Sequence, residues 1–100
     1  MKTMEQLLNK IRELGWSIEE YEENYELGIY SPADQDFSMI VEKADNIKYF
    51  IGNIYKVYSD FDVSYETYLW LDEKEFYEDM KWCEDAIYDL YKSLKDWINN

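Results

Sequence analysis

Hydrophobic and polar positions follow a helical period at the start of the chain. Thr3 and Gln6 have the residue types and the spacing of a capping box, which marks the beginning of a helix. Gly15 has the position of the glycine that commonly follows a last helical turn. Between them apolar residues recur at every third or fourth position, which predicts one amphipathic helix with an apolar face formed by Met4, Leu7, Leu8, Ile11 and Leu14.

From position 16 the period changes to two, which predicts strands with one buried face. Three such runs are separated by polar connections at 22–24 and 31–36. The short connection Glu22-Glu23-Asn24 is typical of a hairpin, in which Asn24 tolerates a positive φ. The alternation predicts a three-stranded antiparallel meander, with inward positions at Trp16 and Ile18, at Tyr25, Leu27 and Ile29, and at Phe37, Met39 and Val41.

Positions 45–100 return to the helical period. Asp45 and Ser64 are the expected N-caps of two helices, and Asp72 with Glu75 forms a capping box that opens the longest helix. That helix has the four-and-three spacing of a coiled-coil seam, at Phe76, Met80, Cys83, Ile87, Leu90, Leu94 and Trp97. The order α-β-β-β-α-α-α predicts an α+β fold with the helices packed on one face of the sheet, and residues 1–100 are expected to form a single domain.

Net charge narrows the classes of function. The chain has 23 acidic residues, 10 basic residues and no histidine, which gives a net charge of −13. Direct nucleic-acid binding is not expected, because it requires a basic surface. Aromatic residues make up 19% of the chain, which argues against a disordered acidic segment. The sequence lacks a membrane-length apolar run and a signal-type start, and its single cysteine permits no internal disulfide, so a cytoplasmic protein is expected.

Catalytic chemistry has little support in the sequence. The absence of histidine removes the commonest general base and every Ser–His or Cys–His arrangement. The three glycines are too far apart for a phosphate-binding loop. Cys83 falls on the apolar seam, where a small buried hydrophobe is expected rather than a reactive thiol. We therefore expect neither an enzyme nor a bound cofactor or metal.

Acidic residues are concentrated in two places. No lysine or arginine occurs between Arg12 and Lys43, whereas nine acidic residues do. On the side of the longest helix away from the seam, four acidic residues lie within about 40° of one another: Glu78, Asp85, Asp89 and Asp96. Lys81, Lys92 and Lys95 flank this stripe and are expected to neutralise it in part. Such a stripe is either a solvated face that keeps the chain soluble or a surface that meets a basic partner.

Aromatic residues among these acids favour the second interpretation, because exposed Tyr and Trp are typical of protein interfaces. Trp82 lies beside the helical stripe, and Tyr21, Tyr30 and Tyr88 are further aromatic residues at positions expected to be exposed. The candidate partner-binding residues are therefore Glu22, Glu23, Asp34, Glu78, Trp82, Asp85 and Asp89.

Two parts of the sequence resemble a known group of proteins. The stretch 27–38, LGIYSPADQDFS, followed by Phe61-Asp62-Val63 and Trp70, resembles small acidic proteins of Gram-positive bacteria and of their phages and mobile elements. In size and acidity the chain also resembles DNA-mimic anti-restriction and anti-CRISPR inhibitors. This resemblance in size and acidity implies an inhibitor that binds another protein, and it assigns no role to a particular residue.

These observations support two hypotheses of different classes. In the first, the chain is a non-enzymatic binding protein whose carboxylates occupy the basic surface of a nucleic-acid-binding protein of bacterial defence. In the second, it is a structural module in which the seam from Phe76 to Trp97 pairs between copies and acidity serves solubility only. The first is compatible with a monomer, whereas the second requires at least a homodimer.

Overall fold

Three helices and three strands make up residues 2–61 and 71–100, which are the residues that the computed structural model describes. The elements are α1 (Met4–Glu13), β1 (Ser17–Glu20), β2 (Asn24–Tyr30), β3 (Asp36–Glu42), α2 (Ile47–Ser59) and α3 (Glu73–Ile98). The α+β class and the antiparallel sheet are confirmed. The short helix predicted to begin at Ser64 lies outside the described residues.

The sheet has the order β1-β2-β3, and its two faces differ in character. Ile18, Leu27 and Met39 lie opposite one another on neighbouring strands and face the helices. Apolar residues of all three described helices complete this core, among them Leu7, Ile11, Phe50, Ile54, Ile87 and Leu94. The described helices all lie on this one face, and no described element covers the other, which is called the open face below.

Capping residues fix where the helices begin. The Thr3 hydroxyl accepts a hydrogen bond from the Gln6 N–H while the Gln6 side chain accepts one from the Thr3 N–H, so the expected capping box is confirmed. Asp72 likewise accepts from the Glu75 N–H at 2.8 Å. The expectation of Asp45 as the cap of α2 is wrong, because Asn46 accepts from the Tyr49 N–H instead. Both residue types are favoured at an N-cap, so the pattern allowed either.

The two strand connections use different turns. The expected place of Asn24 in the first connection is wrong, because Asn24 already belongs to β2 and pairs with Glu42, and its φ is not positive. A positive φ of 64° occurs in the second connection, at Asp34, whose N–H donates to the Ser31 carbonyl. Asp is one of the few side chains that tolerate this conformation, because its carboxylate can bond locally.

The apolar seam of α3 packs inside its own chain. Cys83, Ile87 and Leu94 are fully buried, and Met80 and Trp97 are half-buried. Burial, and then the negative charge of Asp79, raises the pKa of the Cys83 thiol to about 12. The thiol therefore stays protonated near neutral pH, as expected of a small buried hydrophobe. Among the helices of the described ranges, none is long and apolar enough to cross a membrane.

Candidate functional site

The open face of the sheet carries a group of carboxylates from all three strands. The two-residue alternation turns the side chains of Glu19, Glu26, Asp36 and Glu42 to this face. None of the four forms an ion pair with any residue in the described ranges. Lys43, the nearest lysine in sequence, pairs with Glu20 at 2.6 Å, and Glu20 belongs to the other face. The open face is therefore acidic and not neutralised.

Glu19 and Glu26 lie directly opposite each other on β1 and β2. Like charges in such a cross-strand pair destabilise a sheet. The Tyr21 hydroxyl lies 3.2 Å from a carboxylate oxygen of each, although its single proton can be donated to only one at a time. Hydrogen bonding to Glu19, then to Glu26, together with their charges, raises the pKa of Tyr21. This pair would be neutralised by a lysine or arginine side chain brought by a partner.

A shallow hollow of about 300 Å³ lies beside this pair, over Gly28. Its rim includes the carboxylates of Glu19, Glu26 and Asp36. The Ser17 hydroxyl lies close to the backbone at position 28, where a Cβ would be only 2.8 Å from its oxygen, so this close approach requires a glycine. The hollow is wide enough to admit the head of a basic side chain, and its rim supplies hydrogen-bond acceptors for it.

The acidic residues predicted in the two strand connections flank the open face. Glu22 and Glu23 form the turn between β1 and β2, and Asp34 lies in the connection between β2 and β3. All three are exposed. The seven residues of β2 separate the two turns by about 20 Å. These predicted residues therefore lie at opposite ends of the sheet, with the carboxylates of the open face between them.

The acidic stripe of α3 forms a second surface and is partly neutralised. Glu78 lies 3.9 Å from the Lys74 ammonium, and Asp85 lies 2.9 Å from that of Lys81. The hydrogen bond to Asp85, the largest of several contributions, raises the pKa of Lys81. Asp89 forms no ion pair with a described residue. The stripe therefore carries less uncompensated charge than the open face.

Trp82 and Asp89 line one hollow of about 220 Å³ on this second surface. Leu14 and Ile29 contribute apolar side chains to the same hollow, and Trp82 remains 38% exposed. An apolar hollow with an exposed indole and one carboxylate is typical of a protein contact. Of the predicted residues on α3, the structure brings these two together.

Asp79 links α3 to the connection between β2 and β3 and was not among the predicted site residues. It is only 6% exposed, and its carboxylate accepts hydrogen bonds from the Ala33 N–H at 3.3 Å and from the Gln35 amide at 2.6 Å. These bonds hold the connection that carries Asp34 against α3. A signal existed in the sequence, because position 79 lies three residues after Phe76 and four before Cys83, on the buried side of the helix.

The open-face acids Glu19, Glu26, Asp36 and Glu42 were also missing from the predicted set. All four belong to the stretch between Arg12 and Lys43 that has no basic residue, and this stretch was the available signal. No group of three or more potential metal ligands suited to an ion occurs in the described part of the chain. Comparisons with protein-family models, curated proteins and solved structures find no match for the chain.

Proposed function

We propose that this chain is a non-enzymatic acidic protein that occupies a basic nucleic-acid-binding site of a bacterial defence protein in the cytoplasm. The observation that carries the proposal is the open face, where four carboxylates have no described ion pair and three of them, Glu19, Glu26 and Asp36, line a hollow. Glu22, Glu23 and Asp34 extend this surface at its two ends. In this proposal the carboxylates take the place of backbone phosphates.

The charge density of the molecule is suited to this role. Thirteen net negative charges over a longest extent of 46 Å amount to one charge per about 3.5 Å. Duplex DNA carries one per about 1.7 Å of axis, and each of its strands one per about 3.4 Å. The protein therefore approaches the charge density of one DNA strand along its length, and a groove of lysine and arginine would attract it strongly at low salt.

The arrangement of Glu19 opposite Glu26 supports the proposal further. A solvated face that serves solubility alone gains nothing from two like charges in direct opposition, which destabilise the sheet. Local arrangements that oppose stability are more common at functional sites than elsewhere. The pair is therefore more readily explained by a basic partner than by solubility.

The proposal is tested by capturing partners of this chain from bacterial lysate and then measuring whether the chain competes with nucleic acid for a captured partner. Immobilised protein is incubated with lysate at low salt, bound proteins are released with high salt, and each is identified by mass spectrometry. A captured protein is then purified, and its binding to duplex DNA is measured with and without this chain. We expect a nucleic-acid-binding protein that loses its DNA as this chain is added.

Two variants of equal charge identify the surface involved. Glu19→Lys/Glu26→Lys and Asp85→Lys/Asp89→Lys each make the net charge four units less negative, so they share the long-range electrostatic effect. We expect the first to lose competition with DNA and the second to keep most of it. Competition that persists in the first variant, or a captured protein that keeps its DNA at saturation, would contradict the proposal.

The second hypothesis, a structural module that pairs between copies through α3, is supported by no specific observation. Its proposed contact, the seam of α3, is buried within one chain at Cys83, Ile87 and Leu94. Pairing between copies through these residues would require the core to open. Sedimentation over a range of concentrations tests it directly, and a monomer throughout would exclude it.

A further inference from the structure

The outer edge of β3 carries backbone groups that no described residue pairs. The Lys43 N–H donates to the Glu23 carbonyl, which turns Lys43 toward β2. Because neighbouring residues of an antiparallel strand alternate in direction, Ser38, Ile40 and Glu42 turn away from β2. The Glu42 carbonyl confirms this direction by accepting a hydrogen bond from the Asn53 amide of α2 at 2.9 Å.

The N–H and C=O groups of Ser38 and Ile40 are therefore available at this edge. They form no hydrogen bond with a residue in the described ranges. Edge strands are usually protected by shortness, proline, a bulge or lysine side chains. β3 has seven residues in unbroken register with β2, contains no proline, and has Ile40 52% exposed near its centre. It differs from the opposite edge, β1, which has only four residues.

A groove of about 450 Å³ runs along this edge, between β3 and α2. Apolar side chains of Phe37, Met39, Val57 and Phe61 contribute to its lining. An extended chain that paired with β3 would turn alternate side chains into this groove. Those side chains would be apolar, because the groove would cover them.

The other side chains of such a chain would extend beside the open face. On that side β3 has Asp36 at its first position and Glu42 at its last. Glu42 also lines the groove, and Asp60 and Lys56 are the other charged residues of its lining. Acidic groups exceed basic ones at this edge, as they do over the whole chain. A second copy would bring a further charge of −13, which opposes pairing between copies.

We infer that the edge of β3 binds an extended segment of a partner protein in which apolar and basic residues alternate. The segment adds a fourth strand by hydrogen bonding to Ser38 and Ile40, places its apolar residues in the groove beside α2, and pairs its basic residues with Asp36 and Glu42. This inference shares Asp36 and Glu42 with the open face of the proposed function, but it also requires the backbone groups of β3 and the groove beside α2, which the proposed function does not use.

The test measures amide hydrogen exchange by NMR with a defined peptide. The probe has seven residues, the length of β3, with valine and lysine alternating. One control peptide has the same composition with its valines and lysines in two separate blocks, and another is the alternating peptide with N-methyl groups at every second residue. The outward amides of Ile18 and Glu20 on β1 serve as an internal control, since that edge has only four residues and does not line the groove beside α2.

We expect fast exchange at Ser38 and Ile40 in the free protein and at least about tenfold slower exchange with the alternating peptide. Ile18 and Glu20 should be unaffected. N-methylation of the pairing edge should weaken binding about tenfold or more, because it removes at least two backbone hydrogen bonds.

Four results would overturn the inference. Slow exchange at Ser38 and Ile40 in the free protein would mean that the edge is already paired, and slowing that depends on protein concentration alone would identify a second copy as the occupant. Equal binding of the block peptide, or equal protection of both edges, would reduce the effect to general attraction between opposite charges.

Discussion

The buried carboxylate of Asp79 holds the connection between β2 and β3 against α3, and its removal has a calculable effect. In Asp79→Ala the Ala33 N–H and the Gln35 amide lose their acceptor. Hydrogen bonds to a charged group contribute about 1.5–3 kcal/mol each, and the longer contact to Ala33 belongs at or below the lower limit. The gross loss of stability is therefore about 3–4 kcal/mol.

Removing this carboxylate also has a stabilising effect on the fold. A buried charge is poorly solvated, and this one lies in a chain of net charge −13. Removing the poorly solvated charge and its repulsion by the other acidic residues offsets about 1–2 kcal/mol of the loss. We expect a net decrease of about 2 kcal/mol in the free energy of unfolding, which for a domain of this size lowers the Tm by about 8–16 °C.

Urea and thermal denaturation followed by circular dichroism measure this change. The matched control is Asp85→Ala on the same helix, which removes an exposed ion pair with Lys81 and should change stability by about 1 kcal/mol or less. Amide exchange at Ala33 gives a local readout and should become faster in Asp79→Ala alone. If the two variants were equally stable, or if exchange at Ala33 were unchanged, the role assigned to Asp79 would be refuted.

Four further outcomes test other parts of the structure. Cys83, with a pKa raised to about 12, should resist thiol reagents near pH 8 until the chain is denatured, and rapid labelling of the native protein would contradict its burial. Replacing Glu19 and Glu26 by glutamine should lower the pKa of Tyr21 toward its ordinary value, because their hydrogen bonds and charges raise it; an NMR titration that finds no change would exclude those bonds. Glu26→Lys should increase the free energy of unfolding by about 0.2–1 kcal/mol at low salt, with the gain lost at high salt, and a gain that persists would have a different cause. Thr3→Ala should decrease it by about 1 kcal/mol in chemical denaturation, whereas Thr3→Ser should leave it nearly unchanged.

Much of the fold could be predicted because its signals are local. The capping box at Thr3, the N-cap at Asp72 and the alternation through Leu27 and Met39 each depend on residues only a few positions apart. The cap of α2 was misplaced by one residue, because Asp45 and Asn46 are both good N-caps and only the three-dimensional turn distinguishes them.

The candidate site could be predicted only in part, because it depends on register and on contacts between distant residues. The sequence reveals that acids are abundant near Glu22 and Asp34, but the opposition of Glu19 and Glu26 requires the pairing of β1 with β2. The partners of Asp79 lie 44 and 46 positions away in sequence. The residue type of Asp79 was also a misleading signal, because an aspartate on a helix is normally expected to face the solvent.

If the proposed function holds, the two faces of the sheet have separate roles, one in stability and the other in binding a partner. Helices cover one face and bury the apolar seam of α3, so the fold does not depend on the other face for its core. Carboxylates on the open face consequently act on stability mainly through mutual repulsion, which salt screens. Salt should therefore have opposite effects on stability and on binding, because it should stabilise the fold and weaken the attraction of a basic partner. A ligand that raises the Tm at low salt but loses this effect at high salt, where the free protein is itself more stable, binds through these charges.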